Sequence, residues 1–161
     1  MQLLEGRDSL EANLNIVESM RAAHFTMIRI QSEGVYQSDA FMDALDEAGI
    51  LVYHDLMGPP APPESNHSAR ADYEVELRQA VRRLGRHPCV VLWCACNECG
   101  GGKGDATDYS LPIVVQEDRT RPVWPASPCH NGWKSGVSTL TGLPTGGNLT
   151  LGGPPVNESH G

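Results

Sequence analysis

The chain has 161 residues, of which 40% are hydrophobic, 20% charged and 6% aromatic, a composition typical of one globular domain and not of a disordered chain. It carries 12 Lys and Arg against 20 Asp and Glu, for a net charge of −8, and its basic residues form no stripe that could follow a phosphate backbone. We therefore expect no nucleic-acid partner. We expect no membrane partner either, because the apolar runs are far shorter than the ~20 residues of a membrane helix.

The first part of the chain alternates between helical and strand patterns. Apolar residues at helical spacing predict a helix over residues 8–24, and the apolar stretch 25–30 predicts a buried strand. Ser38 is placed to cap a second helix, which Gly49 would end in a left-handed conformation. Residues 50–53 then predict the next strand.

The pattern continues beyond a proline-rich segment. Four prolines within residues 58–63 predict an irregular loop, because proline removes amide donors and fixes φ. A third helix is predicted over residues 69–84 and a strand buried on both faces over residues 89–93. A further helix over 107–116 and a short strand over 121–125 complete the predicted elements.

Helices that alternate with strands predict an α/β protein with parallel strands. Two closures fit this order, a doubly wound open sheet and part of an eight-stranded βα barrel. No Gly-x-Gly-x-x-Gly follows the first strand, and the glycines of residues 100–104 do not fit a phosphate-binding loop. Nucleotide binding is therefore not expected.

Asn97 and Glu98 directly follow the most apolar strand, a position where βα barrels carry catalytic groups. A carboxyl group that leaves an apolar strand beside Trp93 and cysteines would be partly desolvated, which raises its pKa and suits it to proton donation. The plain alternative is a solvent-facing glutamate in a loop. Trp93 itself is predicted to belong to the core rather than to stack on a sugar.

Several segments, in the same order along the chain, resemble motifs of glycoside hydrolase family 2. The stretch from His87 to Glu98 resembles the family's fourth-strand signature and is most similar to its β-mannosidase branch. Residues 27–30 are similar to the family's Asn-Met-x-Arg-Val strand, and residues 36–55 to the helix and strand that follow it. Residues 118–128 resemble the Asp-x-Thr-Arg-Pro segment of its fifth strand. The resemblance covers residues 10–130.

This resemblance implies a partial (β/α)8 TIM barrel that covers roughly strands 2 to 5. The whole chain, 1–161, would be part of the catalytic domain, ordered over about 8–130, with residues 131–161 as a Gly/Pro-rich loop region. The remainder of the barrel and the family's β-sandwich domains are expected in the full-length protein.

The resemblance also implies a retaining glycosidase that removes terminal β-linked mannose, with Glu98 as general acid/base and no metal or cofactor. The implied substrate-binding residues are Asn97, Arg29, Asp55 and His160, although a buried ion pair is an equally open interpretation of Arg29 and of Asp55. Trp124 is a further substrate-binding candidate, as an aromatic residue that could stack on sugar. The family's nucleophile is a glutamate on its seventh strand, so we expect the chain alone to be inactive. Exo-β-glucosaminidase and endo-β-mannosidase activities within the same family remain open.

The sequence departs from the family at two places that line the sugar site. Residues 31–34 replace a Trp-Gly-Gly-Gly segment, and Ala95-Cys96 replaces Gly-Asn. Two other classes of function stay open at this point, a non-catalytic carbohydrate-binding remnant and a zinc site. The zinc site would use Cys94, Cys96 and Cys99, together with His87 or the pair Cys129-His130.

Overall fold

The computed structural model describes residues 10–57, 66–95, 97 and 105–124. Within these ranges four helices alternate with four strands, as the α/β prediction requires. In chain order the elements are α1 (Leu10–Ala22), β1 (Met27–Ile30), α2 (Asp39–Ala48), β2 (Leu51–Asp55), α3 (His67–Leu84), β3 (Val90–Cys94), α4 (Asp105–Glu117) and β4 (Val123–Trp124).

The strands form one parallel sheet in the order β1-β2-β3-β4. Each crossover steps to the next strand in the same direction, and because such crossovers are right-handed, the helices fall on one side of the sheet. Arg29 is in register with Tyr53, and Asp55 with Cys94 and then Trp124. Paired positions share a face, so these residues lie on the side away from the helices.

The core lies between the sheet and the helices. Val52 and Trp93 are fully buried in the sheet, as are Leu45 of α2 and Leu77 of α3. The expectation that Trp93 belongs to the core is confirmed, and its indole Nε1 donates to Asp118 Oδ2 at 2.8 Å. The opposite face is more open, since Met27 is 44% and Leu51 is 40% exposed.

Helix α1 and helix α2 end in the same way before their strands. At the end of α2, Gly49 has φ 67, and the amides of Gly49 and Ile50 donate to the carbonyls of Asp46 and Leu45. This pair of bonds is a Schellman motif, and it confirms the left-handed end predicted at Gly49.

Ser38 takes the predicted cap position of α2, but its side chain makes no capping hydrogen bond, and this part of the prediction is wrong. Its hydroxyl accepts a hydrogen bond from Asn13 Nδ2 of α1 at 3.3 Å instead, so the contact between helices replaces the local cap.

The remaining predicted elements differ mainly at their ends. Helix α3 begins two residues earlier than predicted, because Asn66 Oδ1 accepts from the Ala69 amide at 3.1 Å and caps it. Helix α4 contains Pro112 and extends beyond its predicted limits. The predicted loops 58–63 and 131–161 lie outside the described residues. Among the described helices, none is both long and apolar enough to cross a bilayer.

Candidate active site

Three of the predicted substrate-binding residues meet at the carboxyl-terminal edge of the sheet. Arg29 is the third residue of β1, Asp55 is the last residue of β2, and Asn97 follows β3. Because the strands are parallel, their carboxyl ends lie side by side, and the shared face directs Arg29 and Asp55 toward each other. The predicted grouping of these residues is therefore present in the fold.

The guanidinium of Arg29 connects the other two side chains. Its Nε lies 3.1 Å from Asp55 Oδ1 and its Nη2 lies 2.8 Å from Asp55 Oδ2, a bidentate ion pair. The same Nη2 donates to Asn97 Oδ1 at 2.8 Å. With its oxygen engaged by Arg29, Asn97 has the direction of its amide nitrogen fixed. We name Arg29, Asp55 and Asn97 the polar triad.

Asp55 is held by more donors than Arg29 alone. The backbone amide of Ser32 lies 3.3 Å from Asp55 Oδ2, and the thiol of Cys94 also hydrogen-bonds to this carboxylate. The side chain is fully buried, and burial raises the pKa of Asp55, while these three partners act to lower it. A buried carboxylate needs such a set of donors, because an unpaired charge there would be costly.

Arg29 is also fixed from the side. Its guanidinium carbon lies 5.1 Å from the centroid of the Tyr53 ring, which is within cation–π range. Burial acts to lower the pKa of Arg29, but the hydrogen bond and charge of Asp55 raise it overall. The arrangement holds a permanent positive charge at the edge of the sheet, beside a cleft of about 620 Å³ that Arg29, Gln31 and Glu33 help to line.

Trp124 lies on the same face of the sheet as the polar triad. It is the last residue of β4, is in register with Cys94, and accepts a hydrogen bond at its carbonyl from the Ala95 amide at 2.8 Å. Its side chain is partly exposed. The contact of Trp124 with sugar stays a prediction.

Glu98 and His160 lie outside the described residues, as do Cys96, Cys99 and the Cys129-His130 pair.

The version of the zinc hypothesis that uses His87 is wrong. His87 precedes β3, and Cys94 ends it, so a five-residue strand of about 16 Å separates them. Moreover, His87 Nδ1 lies 2.8 Å from Asp46 Oδ2, and the Cys94 thiol makes a hydrogen bond to the Asp55 carboxylate. The two residues lie at opposite edges of the sheet and cannot bind one ion.

One group of described residues has the spacing of metal ligands, namely Asp43, Asp46 and His87. The two oxygens of Asp46 are already engaged, by His87 and by the Cys89 amide at 2.6 Å. Burial acts to raise the pKa of Asp46, but the bonds from Cys89 and His87 lower it overall. Asp46 thus fixes the turn that leads into β3.

Sequence reasoning missed the supporting residues of the triad. Ser32, Tyr53 and Cys94 all contact Arg29 or Asp55. For Cys94 a signal was present, because side chains alternate along a strand and Trp93 was assigned to the core. Its neighbour must then face the polar side of the sheet.

Known proteins resemble both the sequence and the fold of this chain. No family model matches the sequence. Beta-mannosidase B of Thermothelomyces thermophilus is 42% identical over 138 residues, which cover 70% of this chain and 16% of that protein. The crystal structure of the beta-D-mannosidase from Dictyoglomus thermophilum aligns with a TM-score of 0.63 and 30% identity over 76% of this chain and 17% of that chain.

A beta-glucuronidase from Bacteroides uniformis shares the fold, with a TM-score of 0.58 at 21% identity over 71% of this chain and 15% of that one. The chain thus spans about a sixth of the length of these relatives. The sequence matches fall on beta-mannosidases, and the sequence motifs point to the same group. In sequence and in fold the chain is therefore similar to enzymes of glycoside hydrolase family 2, and among them it is β-mannosidase-like.

Proposed function

We propose that β1 to β4 are four consecutive strands of a (β/α)8 barrel, roughly its strands 2 to 5. The sequential parallel order and the helices on one side of the sheet support this placement. In such a barrel the face that carries Arg29 and Asp55 is the interior. Their position at the carboxyl ends of the strands is the position of active sites in barrel enzymes.

We further propose that the chain supplies part of the active site of a retaining β-mannosidase. The observation that carries this proposal is the polar triad, which joins β1, β2 and the segment after β3 directly before Glu98 in the sequence. The activity belongs to a longer protein, because the family's nucleophile is carried by a seventh strand and this chain spans only a sixth of its relatives.

The proposed reaction uses two carboxyl groups about 5 Å apart. Glu98 donates a proton to the glycosidic oxygen while the second carboxylate attacks the anomeric carbon. The glycosidic C–O bond breaks, the aglycone leaves as an alcohol, and the sugar is held by the enzyme as a glycosyl ester. Glu98, now ionised, then takes a proton from water, which attacks the same carbon and releases the sugar with retained configuration.

The polar triad would bind and orient the sugar in this scheme. Asn97 would direct its amide nitrogen to the 2-hydroxyl, because Arg29 holds the amide oxygen at 2.8 Å. Arg29 in turn is held by Asp55, so the position of Asn97 depends on both. His160 and Trp124 are proposed as further contacts to sugar.

Hydrolysis of 4-nitrophenyl β-mannoside tests the proposal. The protein translated together with its flanking coding sequence is compared with its Glu98→Gln variant and with Glu76→Gln, a matched change at an exposed position on α3. We expect hydrolysis with retention, lowered about 10²- to 10⁴-fold in Glu98→Gln and unchanged in Glu76→Gln. Chain 1–161 alone should be inactive.

Each other outcome has a defined meaning. Hydrolysis of the matching β-glucosaminide in place of the mannoside would keep the glycosidase and reject mannose as the substrate. Equal rates for Glu98→Gln and the parent would reject the role of Glu98. Inverted product would reject the retaining mechanism.

A further inference from the structure

A histidine lies directly behind the polar triad, on the opposite face of β2. His54 precedes Asp55, and because side chains alternate along a strand, Asp55 faces the triad while His54 faces the helices. Both residues are fully buried. His54 lies inside the segment 36–55 that resembles the family, and the hydrogen bond of its ring is made to backbone rather than to a side chain of the triad.

The ring of His54 has one defined hydrogen bond. Its Nδ1 lies 2.6 Å from the backbone carbonyl oxygen of Asp55. A carbonyl can only accept, so Nδ1 carries the proton and Nε2 is the bare acceptor of a neutral imidazole. Among the described residues, Nε2 has no hydrogen-bond partner. Arg83 contributes a positive charge near the ring, and this further disfavours a second proton on it.

Two aromatic rings fix the plane of this imidazole. The Tyr36 ring is stacked on it, with centroids 6.0 Å apart and planes at 21°, and the Trp93 ring lies 5.6 Å away at 51°. Tyr36 also acts on the backbone, because its hydroxyl accepts from the Met57 amide at 3.1 Å. His54 therefore cannot turn away from the Asp55 carbonyl without disturbing packed neighbours.

The peptide unit after Asp55 is consequently held at both of its polar ends. His54 donates to its carbonyl oxygen, and its amide, that of Leu56, donates to the Cys94 carbonyl at 2.8 Å. A peptide unit fixed in this way cannot rotate, so the backbone that carries the Asp55 carboxylate has one orientation. The carboxylate, Arg29 and Asn97 are linked in series from that point.

We propose that His54 is a positioning residue for the polar triad. As a neutral donor to the Asp55 carbonyl, it holds Asp55 where its carboxylate engages both Nε and Nη2 of Arg29, and so directs Asn97. This inference rests on the proposed function for its catalytic consequence, but the positioning itself is a property of the fold. Displacements of about 1 Å at such a site reduce rates up to about 100-fold.

Three substitutions at His54 separate its hydrogen bond from its bulk. His54→Asn places an amide donor close to the former Nδ1, His54→Gln places it too far along the side chain, and His54→Leu removes it. Val52→Ala is the matched control, since Val52 is fully buried on the same face of the same strand, two residues earlier.

In the longer protein, we expect kcat/KM on the aryl mannoside to fall about 10- to 100-fold in His54→Leu and His54→Gln. It should stay within about threefold of the parent in His54→Asn and in Val52→Ala, with rates corrected for the folded fraction. A retained rate in His54→Gln, or an equal loss in Val52→Ala, would overturn the inference.

A second measurement is independent of activity. In the full chain, hydrogen exchange of the Arg29 Nε proton is followed by NMR, with the signal assigned by its loss in Arg29→Lys. We expect slow exchange in the parent, Val52→Ala and His54→Asn, and exchange at least about tenfold faster in His54→Gln and His54→Leu. If His54→Leu does not fold, the exchange rates of His54→Asn and His54→Gln are compared, and their difference tests the positioning role.

The two readouts distinguish the two proposals. Fast exchange in His54→Gln together with a longer protein that hydrolyses no glycoside would keep the positioning role and reject the proposed function. Equal exchange in His54→Asn and His54→Gln would reject the positioning role, whether or not the protein is a β-mannosidase.

Discussion

Arg29 makes hydrogen bonds to residues that are 26 and 68 positions away in the sequence. Its planar guanidinium offers donors in a fixed fork, so it can bind both oxygens of Asp55 and still reach Asn97. A lysine at this place would keep the charge, but its donors would all lie on one nitrogen and could not match the two oxygens of Asp55 as a fork does. The geometry therefore depends on the shape of the arginine as well as on its charge.

Arg29→Lys should lower kcat/KM of the longer protein about 10- to 100-fold, because the compact ammonium group lacks the planar fork that binds both oxygens of Asp55 and also reaches Asn97. Steady-state hydrolysis of the aryl mannoside measures the effect. Arg21→Lys is the control, since Arg21 forms an exposed ion pair with Glu18 on α1. Equal activity in the two variants would contradict the assigned role of Arg29.

His54 should make the free energy of unfolding depend on pH at values above the usual pKa range of carboxyl groups. Burial lowers the pKa of His54 from 6.5 to about 4, so between these values the unfolded chain binds a proton that the folded chain does not. The free energy of unfolding should therefore decrease as the pH is lowered, by about 2 kcal/mol from pH 7 to pH 5 from this residue alone.

Urea unfolding of the full chain at several pH values measures this dependence. His54→Asn should make the curve flatter between pH 7 and pH 5, because the variant has no group there that titrates. The carboxyl groups with lowered pKa, such as Asp46 and Asp118, lose their stabilising effect only at lower pH. An unchanged slope in His54→Asn would show that another group is responsible.

At the scale of the elements, α1 and α2 end in the same hydrogen-bonded motif, but a different residue type takes its left-handed position in each. At the end of α1 the amides of His24 and Phe25 donate to the carbonyls of Arg21 and Met20, and His24 has φ 59. The equivalent position in α2 is Gly49. A left-handed conformation costs a residue with a side chain about 1–2 kcal/mol, whereas glycine adopts it freely.

These two helix ends predict stability changes of opposite sign. His24→Gly should raise the free energy of unfolding by about 0.5–1 kcal/mol, and Gly49→Ala should lower it by about 1 kcal/mol. A Cβ at Gly49 would meet no atom within 4 Å, so the cost there is conformational. Denaturant unfolding measures both, and changes of the same sign would contradict this explanation.

Most elements were predictable because their signals are local. Helical spacing and the glycine at position 49 located α2, and the apolar run located β3. Where a prediction failed, a tertiary contact had replaced a local one, as when the Ser38 hydroxyl accepted from Asn13 in place of a backbone amide. Strand β1 begins at Met27 rather than at the predicted residue 25, because His24 and Phe25 form the turn that ends α1.

For the whole molecule, Asp118 connects the last two strands to the helices. Its Oδ1 accepts from the amide and hydroxyl of Thr120, and its Oδ2 accepts from Trp93 Nε1 and Arg121 Nη1. Arg121 continues the network to the carbonyls of Val90 and His87. Burial acts to raise the pKa of Asp118, but these donors lower it overall.

Asp118→Ala should destabilise the chain by about 3–5 kcal/mol, because it leaves the buried Trp93 indole N–H without its acceptor and removes the carboxylate that balances the charge of Arg121. Thermal and urea unfolding of the full chain measure the loss. Asp72→Ala, at an exposed position of α3, should change stability by no more than about 0.5 kcal/mol. Similar effects of the two variants would mean that the network contributes little.

The sheet face opposite the helices combines apolar and polar residues in a definite order. Met27 and Leu51 are neighbours at the amino-terminal end and remain partly exposed, whereas the polar triad lies at the carboxyl-terminal end. In the proposed barrel this face is the interior, with an apolar layer below and the sugar site above. In that arrangement the partly exposed side chains of Met27 and Leu51 would be buried inside the barrel, which explains why this face carries apolar residues.

The sequence by itself determined the order of helices and strands, the parallel α/β class and the identities of Arg29, Asp55 and Asn97, because spacing, helix ends and motifs are local. Only the tertiary structure decided the strand register, including the shift between Val52 and Tyr53, and with it the faces of the sheet. Hydrogen bonds between residues distant in the sequence depend on that register. The partners of the Asp55 carboxylate, among them Ser32 and Cys94, therefore emerged only once the strands were paired.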